Sequence, residues 1–431
     1  MVDGSTPALR RSLGLLQLTA GGIGIIIGAG VYVLLGAAAG EAGAAVWLGF
    51  VLAALLSALT ALSYMELVSM FPSAGAEYEY TRHAFPGWMA FLVGWVMSLG
   101  LMVAAATISL GFARYLAYFV DVDVRVSAVA LLALIGVIAT IGIEQSARVS
   151  MGLSAVQVGG LLVVIAVGAP EVGTVNLLEG ASLGGVFGAA ALVFFAFIGF
   201  DEVITLAEET ENPTRTVPLA LMLALAICTL LYVAVAVTAV SVLGAETLAA
   251  SERPLGDVLS RVLGTRGAGV MAVLAMITTT NTALLAVTAG SRLVYGMASR
   301  GALPSLLSVV HRRRRTPIAS IVLSVVIAGA FVMFRDLKLV ASVTDFVLYL
   351  VFLAVNATVV ILRLKQPERV RAFRIPGSIR RVPILPVLGF GTVAVMMTQL
   401  DREAVALGLL LLAVGLLVAA VLKRFGAGGA V

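Results

Sequence analysis

The sequence predicts an all-α membrane protein, on three observations. Hydrophobic residues fill 61% of the 431 positions and charged residues only 12%, about half the charged share of a soluble domain. Apolar stretches of about 20 residues, the length of a membrane-crossing helix, recur along the whole chain and leave no soluble domain over. They are continuously apolar rather than alternating, which excludes a β-barrel.

Twelve spans are expected, at 13–39, 44–70, 88–119, 126–143, 149–167, 183–207, 217–243, 267–297, 316–334, 339–362, 382–398 and 404–422. The third and eighth exceed the bilayer thickness and imply tilt or extension into solvent. The chain divides into a short N-terminal segment (1–12), five spans (13–170), five more (183–362), and two accessory spans with a tail (382–431).

Orientation follows from Lys and Arg in the connecting loops. With both termini in the cytoplasm, most of the 28 basic residues fall inside, among them Arg10, Arg11, Arg312 to Arg315, Arg363, Arg371 and Arg381. Asp121, Asp123, Glu171, Glu179, Glu246, Glu252, Asp401 and Glu403 then fall outside. The expectation is a multi-pass protein of the cell membrane, a monomer or weak homo-oligomer. Its net charge of +5 lies beside membrane helices, so anionic lipid headgroups are the expected neighbours rather than nucleic acid.

Other classes are excluded by what is missing. Cys228, the one cysteine, lies in the seventh span and reads as packing. His83 and His311 fall in cytoplasmic loops as solvated surface, so no His/Cys zinc set exists; no metal site and no cofactor are expected. The first apolar stretch is too long for a cleavable signal peptide. There is no nucleotide-binding motif for an ATP-driven pump, and no convergent acid, base or metal ligands for an enzyme.

The first span runs Thr19-Ala20-Gly21-Gly22-Ile23-Gly24-Ile25-Ile26-Ile27-Gly28-Ala29-Gly30-Val31-Tyr32. Each glycine loosens a helix by about 1 kcal/mol relative to alanine. Unwound backbone within a bilayer persists only where it is buried in protein or lines a cavity. Free N–H groups at Gly28, Ala29 and Gly30 would form the positive end of a following half-helix, suited to a carboxylate. Helix packing is the alternative, through the small pairs Gly24/Gly28 and Gly36/Gly40.

The sixth span reads Phe194-Phe195-Ala196-Phe197-Ile198-Gly199-Phe200-Asp201-Glu202. Two acids midway along an apolar segment are costly against lipid. A break at Ile198–Gly199 puts them at the start of a second half-helix, whose dipole favours negative charge. Carbonyls at Phe195, Ala196 and Ile198 would then be free to accept from an ammonium group. Matched interruptions in two five-helix halves are the pattern of an inverted-repeat transporter with a midplane site. Donors from one break and acceptors from the other suit a zwitterionic α-amino acid.

Four stretches resemble the amino acid–polyamine–organocation (APC) superfamily, closest to its cationic amino acid transporter group and their prokaryotic relatives. The first is Ile26-Ile27-Gly28-Ala29-Gly30-Val31-Tyr32. The second is Tyr64-Met65-Glu66-Leu67, then Phe71-Pro72-Ser73-Ala74-Gly75, Glu77-Tyr78, Tyr80-Thr81-Arg82 and Gly94-Trp95. The third joins Phe195 to Asp201 with Glu208-Glu209-Thr210-Glu211-Asn212-Pro213-Thr214-Arg215-Thr216-Val217-Pro218. The fourth is Ser291-Arg292-Leu293-Val294-Tyr295-Gly296-Met297-Ala298, then Leu303-Pro304. The resemblance covers roughly residues 8 to 380.

The resemblance implies a leucine-transporter-like fold of 5+5 inverted repeats with helices 1 and 6 discontinuous, and an amino acid held by main chain. By position, Ala29 and Gly30 amides would hold the carboxylate, and the carbonyls of Ile26, Phe195, Ala196 and Ile198 the amine. Phe197 or Phe200 would cover the site on one side. Glu208, Glu209 and Arg215 would stabilise the cytoplasmic end. Proton-coupled relatives resemble one another in a lysine on the fifth helix, where this chain has Gln157, which carries no proton.

Three couplings stay open: Na+ through hydroxyls of Thr278, Thr279, Thr280 and Thr282; H+ through Glu66, Asp201, Glu202 or Asp345; or uncoupled transport or exchange, which Gln157 favours. Threonine packing at helix interfaces is the plain alternative for the hydroxyls. Asp345, one turn before Tyr349, reads as an outer gate or as a solvated interfacial group. Apolar or small walls at Ala104 to Ile108 and Phe197 to Phe200 rank neutral amino acids ahead of cationic ones, which Asp201 and Glu202 would pair with. A major facilitator also has twelve spans, but its parallel halves would not pair breaks in spans one and six.

Overall fold

A computed structural model describes residues 14–71, 76–141, 147–205, 210, 212–334 and 336–424. The described residues are helical apart from loops and one short antiparallel ladder, in which Ser378 pairs with Pro383 and Ile379 with Val382.

The first span is two helices, α1 (Leu15–Ile26) and α2 (Gly30–Ala42), with Ile27 to Ala29 non-helical between them. α3 (Val46–Met70), the short α4 (Ala76–Arg82), α5 (Gly87–Leu116), α6 (Val124–Ile141) and α7 (Ala147–Gly168) follow. The sixth span is interrupted as well: α8 (Leu183–Val193) tightens into a 3-10 turn (Phe194–Phe197), Ile198 and Gly199 leave the helix, and α9 (Phe200–Thr205) resumes. The rest are α10 (Pro213–Leu243), α11 (Ala245–Ala250), α12 (Pro254–Ser299), α13 (Ile318–Val332), α14 (Leu337–Lys365), α15 (Ile384–Met397) and α16 (Arg402–Arg424).

Among the described residues, eight helical segments are long and apolar enough to cross a membrane; Leu15–Ile26, Leu183–Phe197, Ile318–Val332 and Ile384–Met397 are shorter apolar helices. One boundary differs from the sequence expectation. α12 starts at Pro254 and bends at Gly264, whose φ of 72° is non-helical, so an arm precedes the span expected from residue 267. The arm was missed because its charged residues, Asp257 and Arg261, hide it from a hydropathy reading.

α5 is buried along almost its whole length, packed against α12, α14, α13 and α6. α16 is mostly exposed and turns Leu409, Leu410 and Leu417 outward, which suits a lipid-facing edge. α3 and α14 run against each other through a buried polar link. Asn356 accepts from Ser63 at 2.6 Å and donates to Thr60 at 3.2 Å and to the Phe352 carbonyl at 2.9 Å. Every polar atom of that side chain has a partner, as burial requires.

The two ends of the bundle are tied differently. Where α2 ends and α14 and α16 begin, Lys338 reaches Glu41 at 2.6 Å and Asp401 at 3.2 Å. At the opposite end, Glu66 of α3 is enclosed by the segment after α14. Arg363 grips both its oxygens, through Nε at 2.8 Å and through Nη2. Arg371 adds a bond of 3.1 Å and the Ile375 amide another of 3.0 Å. Glu66 and Arg363 are 1% and 3% exposed. A bidentate, fully bonded pair is the arrangement in which buried charge is tolerated. Glu66, a sequence candidate for carrying a proton, is thus engaged by two arginines in a buried ion-pair network.

Candidate functional site

The first break follows from carbonyls that lose their helical donors. Ile27 still donates to Ile23 at 2.8 Å, but Gly28 turns back to Ile26 at 2.8 Å, and regular bonding resumes with Val33 to Ala29 at 3.1 Å. A side chain caps the stranded end. The buried Gln157 amide of α7, oriented with its nitrogen toward the break, donates to Ile27 at 3.0 Å and Gly24 at 3.2 Å. The main-chain carbonyl of Gln157 accepts from Tyr32 at 2.6 Å, and the Tyr32 carbonyl accepts from Tyr115 at 2.7 Å. α2 is thereby pinned to α7 and α5.

At the second break Ile198 donates weakly to Phe195 at 3.4 Å, and Gly199 adopts φ 107°, a conformation that side chains with a Cβ avoid. The two breaks touch. A Cβ added at Gly30 would fall 2.7 Å from Ala196 Cβ and nearer still to its Cα, so only glycine lets the start of α2 lie on the 3-10 turn. A Cβ at Gly199 would fall 3.2 Å from the Ile25 carbonyl oxygen. Tyr232 of α10 joins them: its hydroxyl lies 3.0 Å from the Ile26 carbonyl and 2.9 Å from that of Ala196. One hydroxyl proton serves one of these carbonyls at a time.

The amides opening α2 and the carbonyls closing the 3-10 turn therefore share one buried point in the bundle. A family model described as amino acid permease matches residues 13–418. The chain belongs to that family. The permease is 31% identical to the branched-chain amino acid permease BcaP of Bacillus subtilis, over 95% of this chain and 92% of that one. It is 31% identical to the methylthioribose transporter of Bacillus subtilis, over 89% and 87%. It is 33% identical to the vacuolar cationic amino acid transporter 4 of Arabidopsis thaliana, over 84% and 65%. It is a multi-pass membrane transporter rather than an enzyme.

The structure gathers most of the predicted site residues of the permease and modifies the roles of some. Gly28, expected among the free amides, spends its N–H on Ile26, which leaves Ala29 and Gly30 as the pair that opens α2. Ile26 and Ala196, expected to receive an amine, share Tyr232. The glycine run also packs: Gly24 faces Ser154, and Gly28 faces the Thr282 methyl, 3.0 Å from an added Cβ. Break and packing are one device, since glycines that allow close approach also free the backbone.

Phe197 is buried with its ring 5.2 Å from Tyr232. Phe200 packs edge-on to Tyr64 at 5.8 Å and tilted on Phe352 at 5.5 Å. The walls from Ala104 to Ile108 are buried. Asp201 lies near enough to Tyr64, Glu77 and Tyr80 to act on each electrostatically. The Glu202 side chain, together with Glu208 and Glu209, lies outside the described residues.

Three of the four threonines expected to bind Na+ bond within their own helix, Thr279 to Ala275 at 2.7 Å, Thr280 to Met276 at 2.7 Å and Thr282 to Thr278 at 2.9 Å, whereas the buried Thr278 hydroxyl makes no such bond. Thr280 also lines an apolar cavity of about 630 Å³ with Phe112, Leu153 and Ile277. Among the described residues no cluster of His, Cys, Asp or Glu is grouped to hold a metal. Asp345 is fully buried, which removes its solvated reading, and neither carboxylate oxygen has a hydrogen-bond partner among the described residues. Tyr349 turns instead to the Ala191 carbonyl at 3.0 Å. His83, expected as solvated surface, stacks on Phe71 with centroids 4.1 Å apart and bonds Glu79 at 3.2 Å.

Sequence reasoning missed Tyr232. A phenol within an apolar span is a signal for Tyr232, because a buried hydroxyl requires a partner.

Proposed function

We propose that the permease carries α-amino acids with neutral side chains across the cell membrane by alternating access. In this reading it has twelve spans, inverted five-helix repeats at 13–170 and 183–362, two accessory helices at 382–431 and both termini in the cytoplasm. The observation that carries the reading is the contact of Gly30 with Ala196. It brings the start of α2 against Ala196, and in this reading the Ala29 and Gly30 amides and the carbonyls of Phe195, Ala196 and Ile198 take the two ends of a zwitterion. The Gly28 amide and the Ile26 carbonyl join once Tyr232 and their mutual bond are displaced. Phe197 or Phe200 covers the site on one side.

Neutral side chains are favoured by the apolar walls and by the match to a branched-chain amino acid permease along nearly the full length of both chains. Cationic substrates would require Asp201 or Glu202, and Asp201 is set among Tyr64 and Glu77 instead. The partners are the amino acid and bilayer lipid, with the chain a monomer or weak homo-oligomer. Gln157 is committed to the first break, so it supports no lysine-type proton transfer at that position.

Counterflow of a radiolabelled amino acid panel in proteoliposomes, with and without Na+, tests the function. Exchange of leucine, isoleucine or valine, unaffected by arginine and by Na+, is the expected result. No counterflow with any amino acid overturns the transport reading, and arginine exchange alone overturns the neutral assignment.

A further inference from the structure

α12 carries one row of side chains that its neighbours leave open. Arg266, Val270, Val273 and Ile277 recur at helical spacing beyond the kink at Gly264, so they line up along one side of the helix. All four are exposed. A groove follows this row. Its first part, about 550 Å³, is lined by Arg266, Val270 and Val273 together with Phe119. The second part, about 630 Å³, continues past Ile277 between Phe112 of α5 and Leu153 of α7. Phe119 and Val273 line both parts, which makes them one channel.

We propose that this groove binds an anionic phospholipid, with one acyl chain lying along α12 and the phosphate held by Arg266.

The apolar part follows from the setting. An exposed apolar face on a membrane span lies against acyl chains. A channel walled by α5, α7 and α12 touches a chain on several sides, and dispersion contacts add up with each of them. Its length also fits. From Arg266 to Ile277 a helix rises about 16 Å, close to the depth of one leaflet in a hydrocarbon core about 30 Å thick.

The polar part follows from the mouth. Tyr118 donates to the Thr265 carbonyl at 2.7 Å and packs edge-on to Phe119 at 5.0 Å. These contacts fix the end of α5 against the residue before Arg266. Arg253, ahead of the arm, lies over the Tyr118 ring at 5.5 Å, so a second guanidinium adjoins the mouth. Two nearby acids are engaged elsewhere: Asp123 lies 3.5 Å from Arg125, and Asp257 accepts from Ser251 at 2.6 Å. Guanidinium pairs with phosphate through parallel N–H donors, and basic residues beside membrane helices favour anionic headgroups.

The groove lies behind the amino acid site and shares its walls. α7 turns Leu153 to the groove and, one turn on, Gln157 to the first break. α12 lines the groove with Ile277 and sets the Thr282 methyl against Gly28. A seated chain therefore braces the spacing of two helices that both hold the first break.

Photo-crosslinking tests the site. The permease is reconstituted in phosphatidylcholine vesicles that contain a phosphatidylglycerol with a diazirine on one acyl chain, then illuminated and digested. Label should concentrate on the peptides holding Phe119 and residues 270–277. Unlabelled phosphatidylglycerol should compete about fivefold better than phosphatidylcholine, the effect of one basic residue beside a bilayer. Arg266→Ala should weaken that labelling about fivefold, and Ile277→Trp, which fills the channel, should abolish it. Val326→Trp, at an exposed position of α13, should label as wild type. Phosphatidylglycerol added to the detergent-purified permease should raise its unfolding midpoint, and Ile277→Trp should lose that gain. Label spread evenly over the exposed apolar positions overturns the proposal, as does labelling that neither groove variant changes. Equal competition by phosphatidylcholine overturns the anionic headgroup, and competition by oleate as strong as by phosphatidylglycerol overturns the phospholipid. Failure of leucine counterflow in the same vesicles overturns the transport reading and leaves the labelling result standing.

Discussion

The two interruptions reach the same result by different means. The first is held from outside: Gln157 caps its carbonyls, and glycines yield space to neighbouring helices. Its backbone angles at Ile27 and Ala29 are ones that any residue adopts. The second is held from within, by one positive φ at Gly199 and a 3-10 turn. The first break is thus specified by close approach and hydrogen bonding, the second by conformation. A site shared between them inherits both constraints, and Tyr232, which reaches into both, couples them.

Substitutions can break this contrast, and their effects should fall in order. Gly30→Leu drives a side chain into the Ala196 backbone. Leucine counterflow should drop on the order of 100-fold, about 3 kcal/mol of lost recognition, with the protein still eluting as a folded species. Normal transport would show that the approach of α2 is mere packing. Gly199→Ala acts chiefly on conformation, with a tight approach of its Cβ to Ile25 at 3.1 Å added, and should cost about 1–2 kcal/mol, close to a tenfold loss; an effect as large as that of Gly30→Leu would mean that contact specifies the second break as much as conformation does.

Tyr232→Phe removes the shared donor. About 1 kcal/mol loss of stability and a several-fold fall in KM are expected, read by thermal unfolding and uptake kinetics, because the hydroxyl holds carbonyls that the substrate's amine needs. If KM rises instead, the hydroxyl positions those carbonyls rather than competing with the amine. Gln157→Ala should be the mildest for transport: it leaves the first break's carbonyls uncapped, lowering stability by about 1 kcal/mol while KM stays within twofold.

Much of this architecture was legible from composition and local pattern. Helical membrane character followed from the apolar runs. Both interruptions were visible because glycines and paired acids are costly within such runs. The partners of the freed groups were not legible. Tyr232 and Ile26 are 206 positions apart, and no local pattern pairs a phenol with a carbonyl at that distance. Gln157 stood out as a missing lysine, yet its role as a cap appears only once α7 lies beside α1. Glu66 read as a free acid because its cations, Arg363 and Arg371, are reached across 297 and 305 positions. The arm of α12 ahead of Gly264 escaped notice because its charged residues, Asp257 and Arg261, break the apolar run.

The enclosure of Glu66 has a consequence for a protease. Trypsin requires an accessible basic residue in a chain segment that can extend into its cleft. Arg312 to Arg315 form an exposed turn, whereas Arg363 is buried and Arg371 is tied to Glu66 and to the Leu362 and Gln366 carbonyls. Brief digestion of the purified carrier should cut within Arg312 to Arg315 and spare Arg363 and Arg371, and Glu66→Ala should open that second pair to cleavage.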